Sequence, residues 1–284
     1  GTPEAAEAGE GETGSRPLLA LSILPQRYFA SRIGGGMADT LVLVGPGQDP
    51  HHYEPTPRQV SGLSGAGAWV LSGTEFEAAL RPKIEALFPE LPVIDGVEGV
   101  RFRGMDEEPP DGEDHGGAEE RGGRDPHTWL GPEGAKIMAA HILEALSRLD
   151  PPQAALYGEN YRSLIRDIDE TFDRLRRDLE PLRGSTVFVY HPAFGYFLDE
   201  FGIVQRAVET GGKEPTPRRL GRLIEDARKA GVRVVFVQAQ FPLESAGTAA
   251  RAAGAELAAL DPLAEDWLAN IGRMGEALKE AGAR

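Results

Sequence analysis

A chain of 284 residues, 40% of them hydrophobic, is long enough for one large or two ordinary domains and apolar enough to fold. Its 45 acidic against 30 basic residues leave a net charge of −15, which argues against a nucleic-acid partner and favours attraction of cations. No cysteine is present, so a metal site must use imidazole, carboxylate and water, and no run approaches the ~18 apolar residues of a membrane span.

Residues 1–16 read as a flexible acidic lead rich in Gly, Ala and Glu, expected to be a tether downstream of a removed secretion or lipoprotein signal. Leu18 to Leu24 has the look of a buried strand, followed by a helical face through Tyr28, Phe29 and Ile33 that ends at Gly34-Gly35-Gly36. Thr40 to Val44 is a second strand. It feeds the stretch Asp49-Pro50-His51-His52-Tyr53-Glu54-Pro55-Thr56-Pro57, whose Thr56, Pro57 and Gln59 make a helix start with a capping box. Ala68 to Leu71, a helix from Phe76 to Phe88, and Pro92 to Ile94 continue the alternation. Strands alternating with helices imply parallel βαβ units.

Between Met105 and Arg124 the periodicity disappears; five Gly, two Pro, eight Asp or Glu and His115 make an acidic loop. Gly131-Pro132 opens a helix that carries His141 in mid-pattern, a structural position. Tyr157, Tyr161, Leu164, Ile168, Phe172, Leu175 and Leu179 then form one apolar stripe between Pro152 and Pro181. Such a helix would run roughly 40 Å, a length that suits a strut between two lobes. The β/α alternation resumes from Thr186 and ends in a helix from Trp267. The expected fold is α/β: two β/α lobes with parallel-type sheets linked by one long backbone helix. The boundaries are a lobe over 17–150 containing the mobile acidic loop 105–124, a linking helix over 151–182, and a second lobe over 183–284.

His51, His127, His191 and Asp261 share one context, since each lies at or just after the end of a predicted strand or in its following loop, beside proline. Ligands of open parallel sheets bind outside the carboxyl ends of the strands, so two facing lobes would bring these groups to one cleft. Three imidazoles and a carboxylate suit a tetrahedral Zn²⁺ site. A lone histidine beside proline is ordinarily a surface residue. The repeated Asp-Pro-His, with an aromatic residue two positions on (Tyr53, Trp129), weighs against that reading here. His52 competes with His51, and the repeat favours His51. Glu54 and Glu214, each before Pro-Thr-Pro, read as groups that bond backbone amides or orient a ligand from behind. His115 is at most a transient contact. There is no His-Glu-x-x-His, Gly-x-Ser-x-Gly, phosphate-binding glycine loop or dinucleotide fingerprint. A fourth protein ligand would close the site and favour binding over catalysis.

Asp49 to Pro55, Asp125 to Leu130, Tyr190 to Phe197, Glu214 to Pro217 and Leu260 to Leu263 together resemble the zinc/manganese solute-binding proteins of metal ABC transporters, the ZnuA-like group. The resemblance spans nearly the whole chain. It implies metal held between the lobes by His51, His127 and His191, with Asp261 or water as the fourth ligand, and delivery to a membrane permease. Manganese-type relatives tend to carry a carboxylate where this chain has His191, and an imidazole-rich site suits zinc. Two departures stand out. The acidic loop holds a single histidine where zinc-type members are often histidine-rich, and Gln238-Ala239-Gln240-Phe241 replaces the usual Glu-Pro-Gln-Phe, which removes a charge near the cleft. The expectation is a monomeric, non-enzymatic, periplasmic or otherwise extracytoplasmic zinc-binding protein with its signal removed and a lipid anchor an open option. Manganese or ferrous iron uptake, a zinc-dependent hydrolase and an adhesin-like surface protein are the alternatives.

Overall fold

The computed structural model describes residues 16–105, 123–208, 217–229, 231–238 and 243–283. The first half contains β1 (Leu18–Ile23), α1 (Leu24–Gly34), β2 (Asp39–Val44), α2 (Pro57–Gly62), β3 (Ala68–Val70), α3 (Glu75–Leu87) and β4 (Val93–Ile94). Two long helices follow, α4 (Pro132–Leu149) and α5 (Ala154–Asp178). The second half contains β5 (Thr186–Val189), α6 (Gly195–Asp199), β6 (Val204–Ala207), α7 (Pro217–Lys229), β7 (Val234–Val237), α8 (Leu243–Ala253), β8 (Glu256–Ala259) and α9 (Trp267–Ala283).

The strands form two four-stranded sheets, ordered β2-β1-β3-β4 and β6-β5-β7-β8, and every pairing is parallel. The same order recurs because in each lobe the first strand lies between the next two. β1 is apolar at nearly every position and has five buried residues, which is what a strand covered on both faces demands. Its exit is fixed by Gln26, a fully buried side chain. Gln26 accepts from the amides of Ser22 (2.8 Å) and Ile23 (3.2 Å) and donates to the carbonyls of Val70 (3.2 Å) and Leu71 (3.0 Å). One amide thus ties the start of α1 to the end of β3.

α5 is 25 residues long, roughly 38 Å at 1.5 Å per residue. Its stripe of Tyr157, Leu164, Ile168, Phe172 and Leu175, continued by Leu179 just beyond it, is almost fully buried, with Tyr161 half-buried. α9 lies close against α5; a Cβ at Gly275 would come within 2.3 Å of Leu175, so a larger residue there would push that buried side chain aside. The seam between the lobes is apolar and hydrogen-bonded. Phe29 of α1 packs edge-on against Trp267 of α9 (5.0 Å between centroids), Trp267 donates to the carbonyl of Trp129 (2.9 Å), and Trp129 donates to that of Pro262 (2.7 Å). One continuous core runs from β1 through α5 to α9, so the linking helix is welded to both lobes.

Candidate metal centre

The loops after the strand ends carry the site. Asp49 begins the first. Its Oδ1 accepts the amide of His51 (2.9 Å) and closes a short turn, while Tyr53 anchors the loop by donating to the carbonyl of Leu43 (2.6 Å). Downstream, Thr56 and Gln59 cap α2 reciprocally, as the Thr-Pro-x-Gln pattern predicts. The second loop repeats the first turn: Asp125 Oδ1 accepts the amide of His127 (2.9 Å). His191 lies two residues after the end of β5, and its carbonyl accepts from Gln238, which follows β7 (3.0 Å).

The structure brings His51, His127 and His191 together, with ligand atoms all within 4.8 Å of one another; among the described residues this is the group of three metal-ligating side chains. His51 Nε2 lies 3.0 Å from His191 Nε2, which lies 3.4 Å from His127 Nε2. Two nitrogens bound to one tetrahedral zinc ion at ~2.0–2.1 Å are roughly 3.3 Å apart, so the spacing fits one ion. His127 and His191 are buried, and His51 is 17% exposed.

Carboxylates set the tautomers. His51 Nδ1 contacts Glu75 Oε2 (3.0 Å) and His127 Nδ1 contacts Asp125 Oδ1 (2.8 Å). A carboxylate accepts only, so it holds the ring proton on Nδ1 and leaves the Nε2 lone pair for a metal. Burial pushes the carboxyl of Glu75 up, but the hydrogen bond and charge of His51 outweigh it and hold the group at about 2. Burial likewise pushes Asp125 up, and His127 together with Arg103 brings it below the ordinary range. Glu75 is positioned by its neighbour Glu77, a buried carboxylate that accepts from the amides of Ser72 (2.6 Å) and Gly73 (2.9 Å) and pins the start of α3.

Behind Asp125 stands Arg103. Its Nη1 donates to Asp125 Oδ2 (3.0 Å) and its Nε to Asp199 Oδ2 (2.9 Å), and its backbone amide donates to the hydroxyl of Tyr196 (3.1 Å). That hydroxyl donates in turn to the carbonyl of Asp125 (3.1 Å). A Cβ at Gly195 would fall 1.7 Å from Nη1 of Arg103, so a larger residue at the start of α6 would displace that guanidinium from its present place. The amide of Met105 donates to the carbonyl of Gly123 (3.0 Å), and a bridge pairs Gly104 with Arg124, closing the chain just behind Arg103 and Asp125. Arg103 therefore links the base of the acidic stretch to a histidine and to the other lobe.

Other expected residues are placed differently. His52 is 75% exposed and pairs through Nδ1 with Asp49 Oδ2 (2.8 Å), away from the three rings. Glu54 is exposed and has no side-chain partner among the described residues. Asp261 is outside the converging group; its Oδ1 accepts the amide of Leu263 (2.9 Å). His141 contacts the carbonyl of Glu98 (3.0 Å), consistent with a structural position. Glu214, His115, most of the acidic stretch and the N-terminal lead lie outside the described residues. The cavity lined by Asp49, Pro50, the three histidines, Trp129, Gln238, Pro262 and Leu263 is small, about 20 Å³. Wider clefts of about 600 Å³ along α5 and about 380 Å³ beside α3 hold no converging histidines.

Residues 20–281 match the family described as zinc-uptake complex component A, periplasmic (ZnuA). The chain belongs to this family. Over 93% of its length it superposes on 98% of a crystal structure of ZnuA, with a TM-score of 0.84 and 33% identity. A protein of Chlamydia muridarum named for metal binding is 25% identical over 92% of this chain and 90% of its own length. The high-affinity zinc uptake system protein ZnuA of Brucella abortus is 25% identical over 90% of this chain and 86% of its own. Two β/α lobes with parallel sheets and a long linking helix are thus the fold of a ZnuA family member. Sequence reading missed Glu75 and Arg103. Asp125 carried a signal in the repeated Asp-Pro-His, but Glu75 at a helix start and Arg103 in a loop carried none.

Proposed function

We propose that this protein is an extracytoplasmic zinc-binding component that captures Zn²⁺ in the cleft between its lobes and delivers it to an ABC permease. The observation that carries the reading is the meeting of three imidazole Nε2 atoms, two from the first lobe and one from the second, at 3.0 and 3.4 Å. Two bare lone pairs at that distance repel unless a proton or cation lies between them. Neutral imidazole nitrogen donors favour zinc over the oxygen-seeking manganese, and the family's zinc-uptake description agrees. In this reading His51, His127 and His191 are ligands, with Asp261 or water as the fourth. His52 and Glu54 are neighbours, and Glu214 and His115 are auxiliary.

The protein binds rather than catalyses, since a cavity of about 20 Å³ is too small for an ester or peptide substrate. The division into a lobe over 17–150, a strut over 151–182 and a lobe over 183–284 follows the same reading. It acts as a monomer, its net charge of −15 suits a cation and not nucleic acid, and capture involves small adjustments of lobes and loops because the strut is welded to both.

Calorimetric titration of the metal-free chain with Zn²⁺ and Mn²⁺ tests this. The expected result is one tight zinc site per chain and much weaker manganese binding. Tight manganese with weak zinc would overturn the metal assignment. Hydrolysis of an ester or peptide that vanishes in His191→Ala would overturn the transport reading.

A further inference from the structure

Gln238 is fully buried at the end of β7 and lines the same small cavity as the three histidines. Its Nε2 donates to the carbonyl of His191 (3.0 Å). A carbonyl only accepts, so this contact fixes which end of the amide is nitrogen and directs the oxygen elsewhere. That oxygen, Oε1, is buried and has no hydrogen-bond partner among the described residues. A buried acceptor without a donor is costly, and one retained in a native fold calls for an explanation.

Neither His51 nor His127 supplies the donor. His51 and His127 commit their Nδ1 protons to Glu75 and Asp125 and turn Nε2 lone pairs inward. A cavity of about 20 Å³ matches one water, which needs roughly 10–15 Å³ of such space. A water on the fourth position of a zinc ion would bring the missing O–H.

Asp261 has a different role. Three Asp-Pro turns surround the cleft, and in each the aspartate Oδ1 accepts the amide two residues on: Asp49 from His51, Asp125 from His127 and Asp261 from Leu263, all at 2.9 Å. Asp261 thus occupies the turn-building place of Asp49 and Asp125, and the place of the histidine is taken by Leu263, an apolar lining residue. Its carboxylate is not among the converging ligand atoms.

We infer that Gln238 is a positioning residue that holds a water as the fourth ligand of zinc, in place of a direct bond from Asp261. The inference rests on the zinc reading above. It gives Gln238 in this chain a neutral acceptor's role. The fourth position is then open to exchange.

The test uses the full chain, with Zn²⁺ for affinity and Co²⁺ as spectroscopic probe. Gln238→Leu is expected to weaken zinc binding by about 10- to 100-fold, the usual effect of losing a group that supports a ligand. Asp261→Asn is expected to stay within about threefold of the native chain. Millimolar azide is expected to change the visible spectrum of the Co²⁺ form, because a bound water exchanges and a carboxylate does not. Gln238→Met, of nearly the same shape, replaces the leucine variant if that one does not fold. Native affinity in both Gln238 variants would overturn the inference. So would loss of binding in Asp261→Asn as large as in His127→Ala with no azide response. If His127→Ala itself binds zinc like the native chain, the zinc reading fails, whatever Gln238 does.

Discussion

The two lobes share one strand order but are held together differently. In the first lobe both faces of the sheet belong to a single core. Leu19, Ala20 and Leu21 of β1 lie in it, as do Phe76, Leu80 and Ile84 of α3 and the strut residues Leu164, Ile168 and Phe172. In the second lobe the faces separate. Val189, Val234 and Phe236 join the shared core, while Phe188, Val235 and Val237 form their own cluster with Leu223, Ala227, Ala246 and Ala250. Alternate residues of a strand point to opposite faces, so one strand serves two cores. The outer cluster is rich in alanine, which buries little apolar area per residue, about 25 cal/mol per Å² being the return on burial. His51 and His127 therefore stand on the welded half. His191 and Gln238 stand on a sheet backed on one side by a lighter layer, where adjustment to a metal costs least.

The comparison can be broken at several points. If the metal belongs to both lobes, His127→Ala and His191→Ala should each weaken zinc binding by roughly 10²-fold in calorimetry. Zinc sites of about 10–16 kcal/mol shared over four ligands give roughly 3 kcal/mol per ligand. Native affinity in His191→Ala would assign the site to the first lobe alone. Next in size, Phe172→Ala in the shared core should cost about 3–5 kcal/mol and lower the protection of both lobes in hydrogen exchange. Leu223→Ala should cost about 2–3 kcal/mol and loosen mainly α7 and α8; equal spread from both would merge the two cores.

Smaller effects sharpen the first lobe's part. Asp125→Asn keeps the shape but loses the charge shared between His127 and Arg103, and zinc affinity should fall by about 10- to 100-fold. An unchanged dissociation constant would reduce the Arg103–Asp125 pair to a structural clamp. Glu75 is held at about 2, below its usual 4.5. A depressed carboxyl adds stability above pH 4.5 that is lost as the pH falls to about 2. The metal-free Glu75→Gln chain should therefore lose less stability than the native one across that acid range. Parallel acid-unfolding curves would show that the pairing with His51 contributes nothing; its carboxylate is 54% exposed, so the effect is small.

Much of this was legible in the residues themselves. The stripe from Tyr157 to Leu179 announced the strut because helical spacing repeats locally. The Asp-Pro-His repeat singled out His51 and His127 because both turns are closed by an aspartate two residues earlier, a contact within the motif. Glu75 was illegible because its contact with His51 spans 24 residues of sequence and nothing near it marks a partner. Arg103 meets Asp199 across 96 residues and Gln238 meets His191 across 47. Such pairs are chosen by how elements pack and leave no pattern in the elements.

The sequence by itself determined the order of strands and helices, the length of the strut, the absence of thiol ligands and the strand-end positions of the histidines, since periodicity, composition and turn chemistry act over a few residues. Only the tertiary structure decided that the three rings meet at one point, that carboxylates turn two of those rings outward at Nδ1, that Asp261 builds a turn, and that the two lobes differ in their cores. Those outcomes depend on distances between residues far apart in the chain, and the packing of the two sheets against one helix sets them.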